Sequence, residues 1–543
     1  MKSPHTDLPR STISLSAYIK NGFRTKRSTS SFIIIAALLN AILYNWPLLS
    51  FSINNLDGLT LNSLHTIFTV FVVIYLETAL ALYLLFLISR RLGKTLCVIL
   101  ALANSLAVYF VVTYNVILGT SMMGNVFNTK FSEASPFLSG KMFIYFVVLG
   151  MIPAWLIIRT SVLKTSRLRL FLHLILTIVI SVTWVWFSGS TWLWVDKHAK
   201  QLGGITMPWS YVGNSIRFQI QKDEENVEQT LLPNATFRSN KKTVVVLVIG
   251  ESARAEDFSL YGYKRPTNPL LSHSDVITLK NATSCATYTT ASVKCILSYT
   301  NTSNLFGKNF EPLPSYLQRQ GIDVFWRSHN WGEPPLKIAS YINAKDLEKN
   351  CEGDECDYDG VLLSHLAEQI KASKKQKIFV VLHQSGSHGP TYYLKYPKAF
   401  EVFKPVCRSV ELSNCTHQEL VNAYDNTILY NDHFLDQLRT ILKGLDTASA
   451  FLYVSDHGES LGEDGIYLHG TPYSIAPKQQ YTIPFLVWMS QDFINQQHIS
   501  VDKLKAREKT TQDNVFHSVM GAFDMRSPIY NKNLDIFAKA KAP

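Results

Sequence analysis

A chain of 543 residues with 52 Lys and Arg against 41 Asp and Glu, net charge +11, has room for two or three domains and for a large buried core. The positive balance raises nucleic acid as a partner. No basic stripe with interleaved aromatics is present, so that class is set aside and anionic lipid headgroups become the better match.

Composition is uneven along the chain. Residues 1–190 contain long apolar runs, whereas the remainder reads as mixed globular sequence. Five runs, near 31–51, 67–89, 95–117, 142–158 and 170–187, approach the roughly 20 residues that cross a bilayer as helix. A basic leader followed by repeated full-length runs is not the pattern of a cleaved signal peptide, so the reading is a multi-pass anchor over 1–190. Short cytoplasmic loops retain Lys and Arg. Lys20, Arg24, Lys26 and Arg27 precede the first span, Arg90, Arg91 and Lys94 lie between the second and third, and Arg159, Lys164, Arg167 and Arg169 between the fourth and fifth. The N-terminus is therefore expected in the cytoplasm and everything after about residue 190 outside, in the periplasm of a bacterium. Glu77, inside the second span, is a costly placement to which no role is given.

Cysteine usage tests that topology. Cys97 lies within a span, while Cys285, Cys295, Cys351, Cys356, Cys407 and Cys415 form three close sequence pairs in the exported part. Proximity favours adjacent pairing among the fifteen possible connectivities, and disulfides persist in oxidising compartments. A zinc knuckle is disfavoured because no short CxxC pair is present.

Residues 191–243 show few clear periods and read as a bridge at the membrane surface, leaving 244–543 as the catalytic domain. Short β-branched runs, Val244–Gly250, Ile378–His383, Ala450–Ser455 and Tyr481–Met489, alternate with helical segments such as Tyr358–Ser373 and Leu420–Lys443. That alternation predicts a doubly wound α/β fold with a mostly parallel sheet. Ligands bind beyond the carboxyl ends of such strands. Three runs end in GES (250–252), HQSGSH (383–388) and SDHGES (455–460), so acids and imidazoles are expected along one sheet edge.

Glu251, Asp456 and His457 together supply oxygen and nitrogen ligands for a divalent metal, and zinc is the expectation. His388 and His469 sit in glycine-containing loops, where they can act as acid or base or hold a second metal; Glu459 lies three residues past Asp456. The segments GESARAEDFSLYGY (250–263), SCATYTTASVKC (284–295), SHGPTYY (387–393) and SDHGESLGEDGIYLHGTP (455–472) resemble the bacterial phosphoethanolamine transferases. The likeness is closest to the lipid A group that includes the colistin-resistance enzymes, whose catalytic domain belongs to the alkaline phosphatase superfamily.

The resemblance implies a threonine nucleophile four residues after the first cysteine of a bridge that closes ten residues later. Cys285 and Cys295 have that separation, so the match is Thr289; residue chemistry alone leaves Thr287 and Thr290 as alternatives. It further implies a zinc site of Glu251, Thr289, Asp456 and His457, surrounded by His388, His469 and Glu459. Phosphatidylethanolamine is the implied donor, and lipid A or another lipopolysaccharide or envelope glycan the acceptor. The implied location is the bacterial inner membrane.

Asn125, Thr129 and Glu133 in MMGNVFNTKFSE (122–133) are spaced i, i+4, i+8, one helical face, and the family uses residues at this spacing to hold the donor headgroup. The sequence departs from the family at WRSHNWGEPP (326–335), where lipid A enzymes commonly carry a lysine shortly after a WRDNN-like segment and this chain has none until Lys337. Lys130 also replaces an acid. A sulfatase would need a CxPxR pattern that Cys285 lacks. A phosphoglycerol transferase and a non-catalytic membrane sensor of the same fold remain as alternatives.

Overall fold

The structure, a computed structural model, describes residues 25–540 except 57, 59, 130–133, 226–227, 301–308 and 410–411. It divides into two compact units: Met1–Val112 with Leu138–Ser210, and Thr113–Phe137 with Tyr211–Pro543.

The first unit is helical. Leu61–Ile88, Arg90–Tyr114, Gly140–Arg159 and Arg167–Phe187 are each long and apolar enough to cross a membrane, and Thr29–Tyr44 with Trp46–Asn54 forms a fifth candidate bent by 53°. The bend has a local cause. Pro47 cannot donate a backbone N–H, and Asn45 leaves helical geometry at φ −109°, ψ 14°. Backbone groups freed inside a bilayer must find partners. Here the Asn45 side chain exchanges hydrogen bonds with the Met207 backbone (2.8 and 3.0 Å), and Asn40 joins Thr78 and Asn104 (3.0 and 3.1 Å). At one end of the unit, Lys26–Ser28 pairs with Ser161–Leu163, Lys94 Nζ donates to the carbonyls of Ile158 and Thr160, and Arg90 donates to that of Val162. Basic residues from three separate connections thus share one end.

The second unit is built on a seven-stranded sheet. Its strands are β1 (Thr243–Gly250), β2 (Ile277–Thr278), β3 (Asp323–Ser328), β4 (Ser340–Asn343), β5 (Lys377–His383), β6 (Ser449–Ser455) and β7 (Phe485–Met489), in the order β2-β7-β6-β1-β5-β3-β4. β6, β1, β5, β3 and β4 are parallel; β7 alone runs the other way, pairing antiparallel with β6 on one side and with β2 at the edge. β1, β5 and β6 are buried along their whole length, which is why they read as unbroken apolar runs. Val245, Leu247 and Ile249 face a cluster with Val293, Ile296, Tyr316 and Phe516, whereas the long helix His417–Lys443 packs beside β6 and adds nothing to that cluster. Helices therefore cover both faces. The long helix begins with a capping box, Thr416 and Glu419 each bonding the other's backbone N–H.

Three expectations change. Tyr358–Ser373 is a 3₁₀ turn, Asp359–Leu363, and a separate helix, Leu366–Ala372, divided at His365, whose φ of +51° no helix accommodates. β7 begins at Phe485 rather than Tyr481 because Pro484 has no N–H for the ladder. The bridge is ordered into helices Gly189–Lys197, Ala199–Ile205 and Trp209–Glu225, and the unit boundary falls at Ser210.

Candidate active site and metal centre

The chain ends β1 with Gly250, where a Cβ would stand 2.6 Å from Tyr453 Oη. It then turns through Ser252 in the left-handed region, φ +56°. This turn presents Glu251 at the carboxyl edge and fixes it: Ser252 Oγ donates to Glu251 Oε1 (2.7 Å), and Ser252 N–H donates to Asp456 Oδ1 (3.1 Å). β6 delivers Asp456 and His457 beside it. His457 Nδ1–H donates to the Gly458 carbonyl (2.8 Å), a bond that leaves Nε2 as the free lone pair. Nε2 lies 3.3 Å from Glu251 Oε1 and 3.4 Å from Asp456 Oδ2.

The Thr289 hydroxyl meets this group at the first residue of the helix Thr289–Leu297. Its Oγ1 is 3.2 Å from Glu251 Oε2 and 3.3 Å from His457 Nε2. Thr287 is committed elsewhere, donating to the Thr471 carbonyl at 2.6 Å, and among the described residues it is Thr289 whose hydroxyl bonds Glu251. Glu251, Thr289, Asp456 and His457 are all at most 2% exposed.

Ligand atoms of Glu251, Asp456 and His457 lie within 4.8 Å of one another, as do those of Glu251, His388 and His469. The donor set fits a divalent cation. Asp456 Oδ2 is buried without a hydrogen-bond partner next to a second carboxylate, and both burial and the Glu251 charge push its carboxyl well above the ordinary range. Burial opposes ionisation of Glu251 too, but the imidazoles of His457, His388 and His469 outweigh it and hold that carboxyl low. Two adjacent buried carboxylates with an unmatched oxygen are what a bound cation neutralises.

A short hairpin, Ser460–Leu461 with Tyr467–Leu468, carries His469 to the same place. Glu459 Oε2 accepts from His469 Nδ1 at 3.0 Å, and the His469 ring lies 4.3 Å from that of His457 and 5.1 Å from that of His388, centre to centre. Burial pushes the Glu459 carboxyl up to about 7 and the His469 imidazole down.

The helix Thr120–Asn128 packs on this loop within the second unit. Ser121 Oγ donates to the Gly470 carbonyl (2.7 Å), and Asn125 Nδ2 stands 3.4 Å from where a Cβ on Gly470 would lie. Asn125 therefore adjoins the His469 loop across 345 residues of chain, but the expected helical face does not continue past it: the helix ends at Asn128, and Thr129 turns extended (φ −60°, ψ 129°) with its backbone N–H and hydroxyl both on the Asn125 carbonyl. Glu133 and Lys130 lie outside the described residues.

Cys351–Cys356 and Cys407–Cys415 are disulfides. The third expected bridge differs: Cys285 and Cys295 stand as neighbouring thiols, with burial, then the Cys295 thiol, pushing the Cys285 thiol up. Cys285 lies four residues before the helix Thr289–Leu297 and Cys295 within it, so the packing of that helix already brings the two thiols together.

Sequence reasoning gave no role to Asn330. Its Nδ2 donates to Glu251 Oε2 at 2.8 Å. The signal that would have found it is a strand end, but β3, DVFWRS, carries Asp323 and Arg327 and does not read as a buried strand.

A family model described as Sulfatase matches residues 243–525, and one described as Phosphoethanolamine transferase EptA/EptB matches residues 76–222. The chain is 39% identical to the phosphoethanolamine transferase EptA of Helicobacter pylori over 94% of its own length and 96% of the relative's. It is 34% identical to that of Salmonella typhimurium over 82% and 85%. Among solved structures, the integral membrane lipooligosaccharide phosphoethanolamine transferase A of Neisseria meningitidis superposes with a TM-score of 0.86 at 28% identity, covering 96% of this chain and all of that one.

Proposed function

Since this chain belongs to the phosphoethanolamine transferase family, we propose that it moves phosphoethanolamine from phosphatidylethanolamine to lipid A or a related lipopolysaccharide acceptor through a covalent adduct on Thr289. The observation that carries this reading is the position of Thr289 Oγ1, between Glu251 Oε2 and His457 Nε2 at the head of a helix.

Glu251, Thr289, Asp456 and His457 are the residues that would hold the metal, for which mixed imidazole and carboxylate donors favour zinc over magnesium or calcium. When bound, the metal lowers the pKa of the threonine hydroxyl and draws charge from phosphorus. Glu251, His388 and His469 offer a second, adjoining position.

The chain's own residues supply the rest. The hydrogen bond to Glu251 Oε2 directs the Thr289 proton away from the donor. The first-turn N–H groups of the Thr289–Leu297 helix have no intrahelical acceptors and face the phosphoryl oxygens. The Thr289 oxygen attacks phosphorus, the bond to the glycerol oxygen breaks, and diacylglycerol leaves with a proton delivered by the His388 and His469 pair. In the second half, His469 Nε2, with Nδ1 held by Glu459, takes the proton of the acceptor hydroxyl or phosphate as it attacks and frees Thr289. Asn125, Thr129 and Glu133 hold the ethanolamine end of the donor, Glu133 opposite the ammonium.

The orientation proposed is N-terminus cytoplasmic and catalytic unit periplasmic in a bacterial inner membrane. The shared basic end of the helical unit and the two disulfides of the other support it. The test uses full-length protein in vesicles containing headgroup-labelled phosphatidylethanolamine and lipid A. Label on lipid A, equimolar diacylglycerol and a mass increment at position 289 are expected. Diacylglycerol release without any threonine adduct in rapid-quench samples would overturn the two-step route.

A further inference from the structure

The segment Ser328–Pro335, one of the places where the chain departs from the family, reaches the metal site from the side opposite Ser252. It leaves β3 with His329 N–H on the His383 carbonyl (2.8 Å), and Ser328 Oγ bonds the Asn330 backbone on both its N–H (3.2 Å) and its carbonyl (3.0 Å). The turn so formed points the Asn330 side chain inward.

All polar atoms of that side chain are engaged. Nδ2 donates to Glu251 Oε2 (2.8 Å) and to the Gln384 carbonyl (2.9 Å), while Oδ1 accepts the Trp331 N–H (2.9 Å). The amide orientation is dictated by chemistry: flipped, it would set Oδ1 against two oxygens and Nδ2 against an N–H. Two residues on, Gly332 at φ +100° lays its backbone on the nucleophile, where a Cβ would come within 3.2 Å of the Thr290 methyl and 3.4 Å of the Thr289 methyl. One amide therefore ties the Glu251 turn, the HQSGSH loop and the strand-end loop over Thr289 into one unit.

We propose that Asn330 is a positioning residue of the metal centre, its amide fixing Glu251 for coordination. Glu251 Oε1 has Ser252 as donor; Oε2 has Asn330 at 2.8 Å and Thr289 at the longer 3.2 Å. Without the amide, Thr289 becomes the remaining donor to Oε2 among the described residues. The buried carboxylate then keeps two of its three donors and has lost the shorter of the two bonds that orient Oε2. Partners that orient a metal ligand in this way are typically worth about 10–100-fold in metal affinity.

The inference rests on the metal reading above, and the experiment separates the two. Full-length protein in detergent is loaded with Zn2+ and titrated with a chromophoric chelator, comparing wild type, Asn330→Ala, Asn330→Ser and Tyr341→Phe. Tyr341→Phe removes the hydroxyl that bonds Glu333 in the same loop and leaves the Asn330 amide in place. Asn330→Ala and Asn330→Ser, whose hydroxyl is too short to span the bond, should release zinc to about 10–100-fold less chelator than wild type, and Tyr341→Phe within about threefold. With zinc saturating, adduct formation at position 289 should still be slower in the Asn330 variants. Absence of zinc binding by wild type would remove the metal reading itself. Wild-type zinc retention in the Asn330 variants, or equal weakening by Tyr341→Phe, would instead sink the positioning role and reduce the loop to a cover; should Asn330→Ala fail to accumulate, the serine variant decides alone.

Discussion

Thr289→Ala is the perturbation that bears most directly on the mechanism, because its effects on stability and on turnover separate widely. The side chain is 2% exposed, so truncation removes one buried methyl, about 0.8 kcal/mol, and a hydroxyl whose long bonds to Glu251 and His457 add about 0.5–1.5 kcal/mol. A loss of roughly 1–2 kcal/mol corresponds to a fall of about 2–6 °C in the melting point of a domain this large. Turnover should fall by about 10⁴-fold or more, over 5 kcal/mol of barrier, since the attacking oxygen is gone. Thr289→Ser keeps that oxygen and loses only the methyl against Gly332, so it should retain activity within about 100-fold and carry the adduct at position 289. The assay is diacylglycerol release from labelled phosphatidylethanolamine, with intact-mass measurement of the trapped enzyme. Undiminished turnover in Thr289→Ala, or a trapped adduct mapped to Thr287 or Thr290, would show the reasoning from geometry to be wrong.

Chelation followed by zinc should lower and then restore the melting point, by about 2.7 kcal/mol when zinc stands at 100 times its Kd, and Asp456→Asn should abolish the response; an unchanged melting curve on chelation counts against a resident metal. Peptide mapping of protein taken from membranes under alkylating, non-reducing conditions should find Cys285 joined to Cys295, a link worth about 2–4 kcal/mol, although the structure holds them as thiols; both thiols alkylated would mean that packing alone closes the nucleophile segment. Glu133→Gln and Asn125→Ala should raise the phosphatidylethanolamine requirement for adduct formation and leave transfer from a preformed adduct unchanged; the reverse pattern assigns that segment to the acceptor.

The legible part of the fold is the part where burial and chemistry coincide in the chain. β1, β5 and β6 are continuous β-branched runs because both faces of the sheet are covered, and each ends in the residues that work, so Glu251, His388, Asp456 and His457 could be placed on one edge from sequence. β3 failed that test for a physical reason. Arg327 is buried in it, and its guanidinium is satisfied by the carbonyls of Leu362 and Ser364 and by Gln369, partners that no local pattern reveals. With β3 unrecognised, Asn330 had no strand end to belong to. The choice among Thr287, Thr289 and Thr290 was equally closed to sequence, because it turns on which hydroxyl a distant carbonyl has already taken.

The contact of the Thr120–Asn128 helix with the His469 loop bears on how one enzyme serves a lipid donor. The segment follows a membrane-crossing helix in the chain, yet it folds with the unit that holds the metal residues. Gly470 adopts φ +86° and donates its N–H to the Thr287 carbonyl, while its own carbonyl receives Ser121 Oγ. A single residue thus joins the Thr120–Asn128 helix to the Thr287–Thr289 segment, and His469, its neighbour, is held on its other side by Glu459. On the proposed donor reading, a headgroup at Asn125 is registered against Thr289 by two hydrogen bonds on the successive peptides that flank Gly470. Because each methylene drawn out of a bilayer costs about 0.8 kcal/mol, the proposed phospholipid donor gains from contacts that are fixed before it binds.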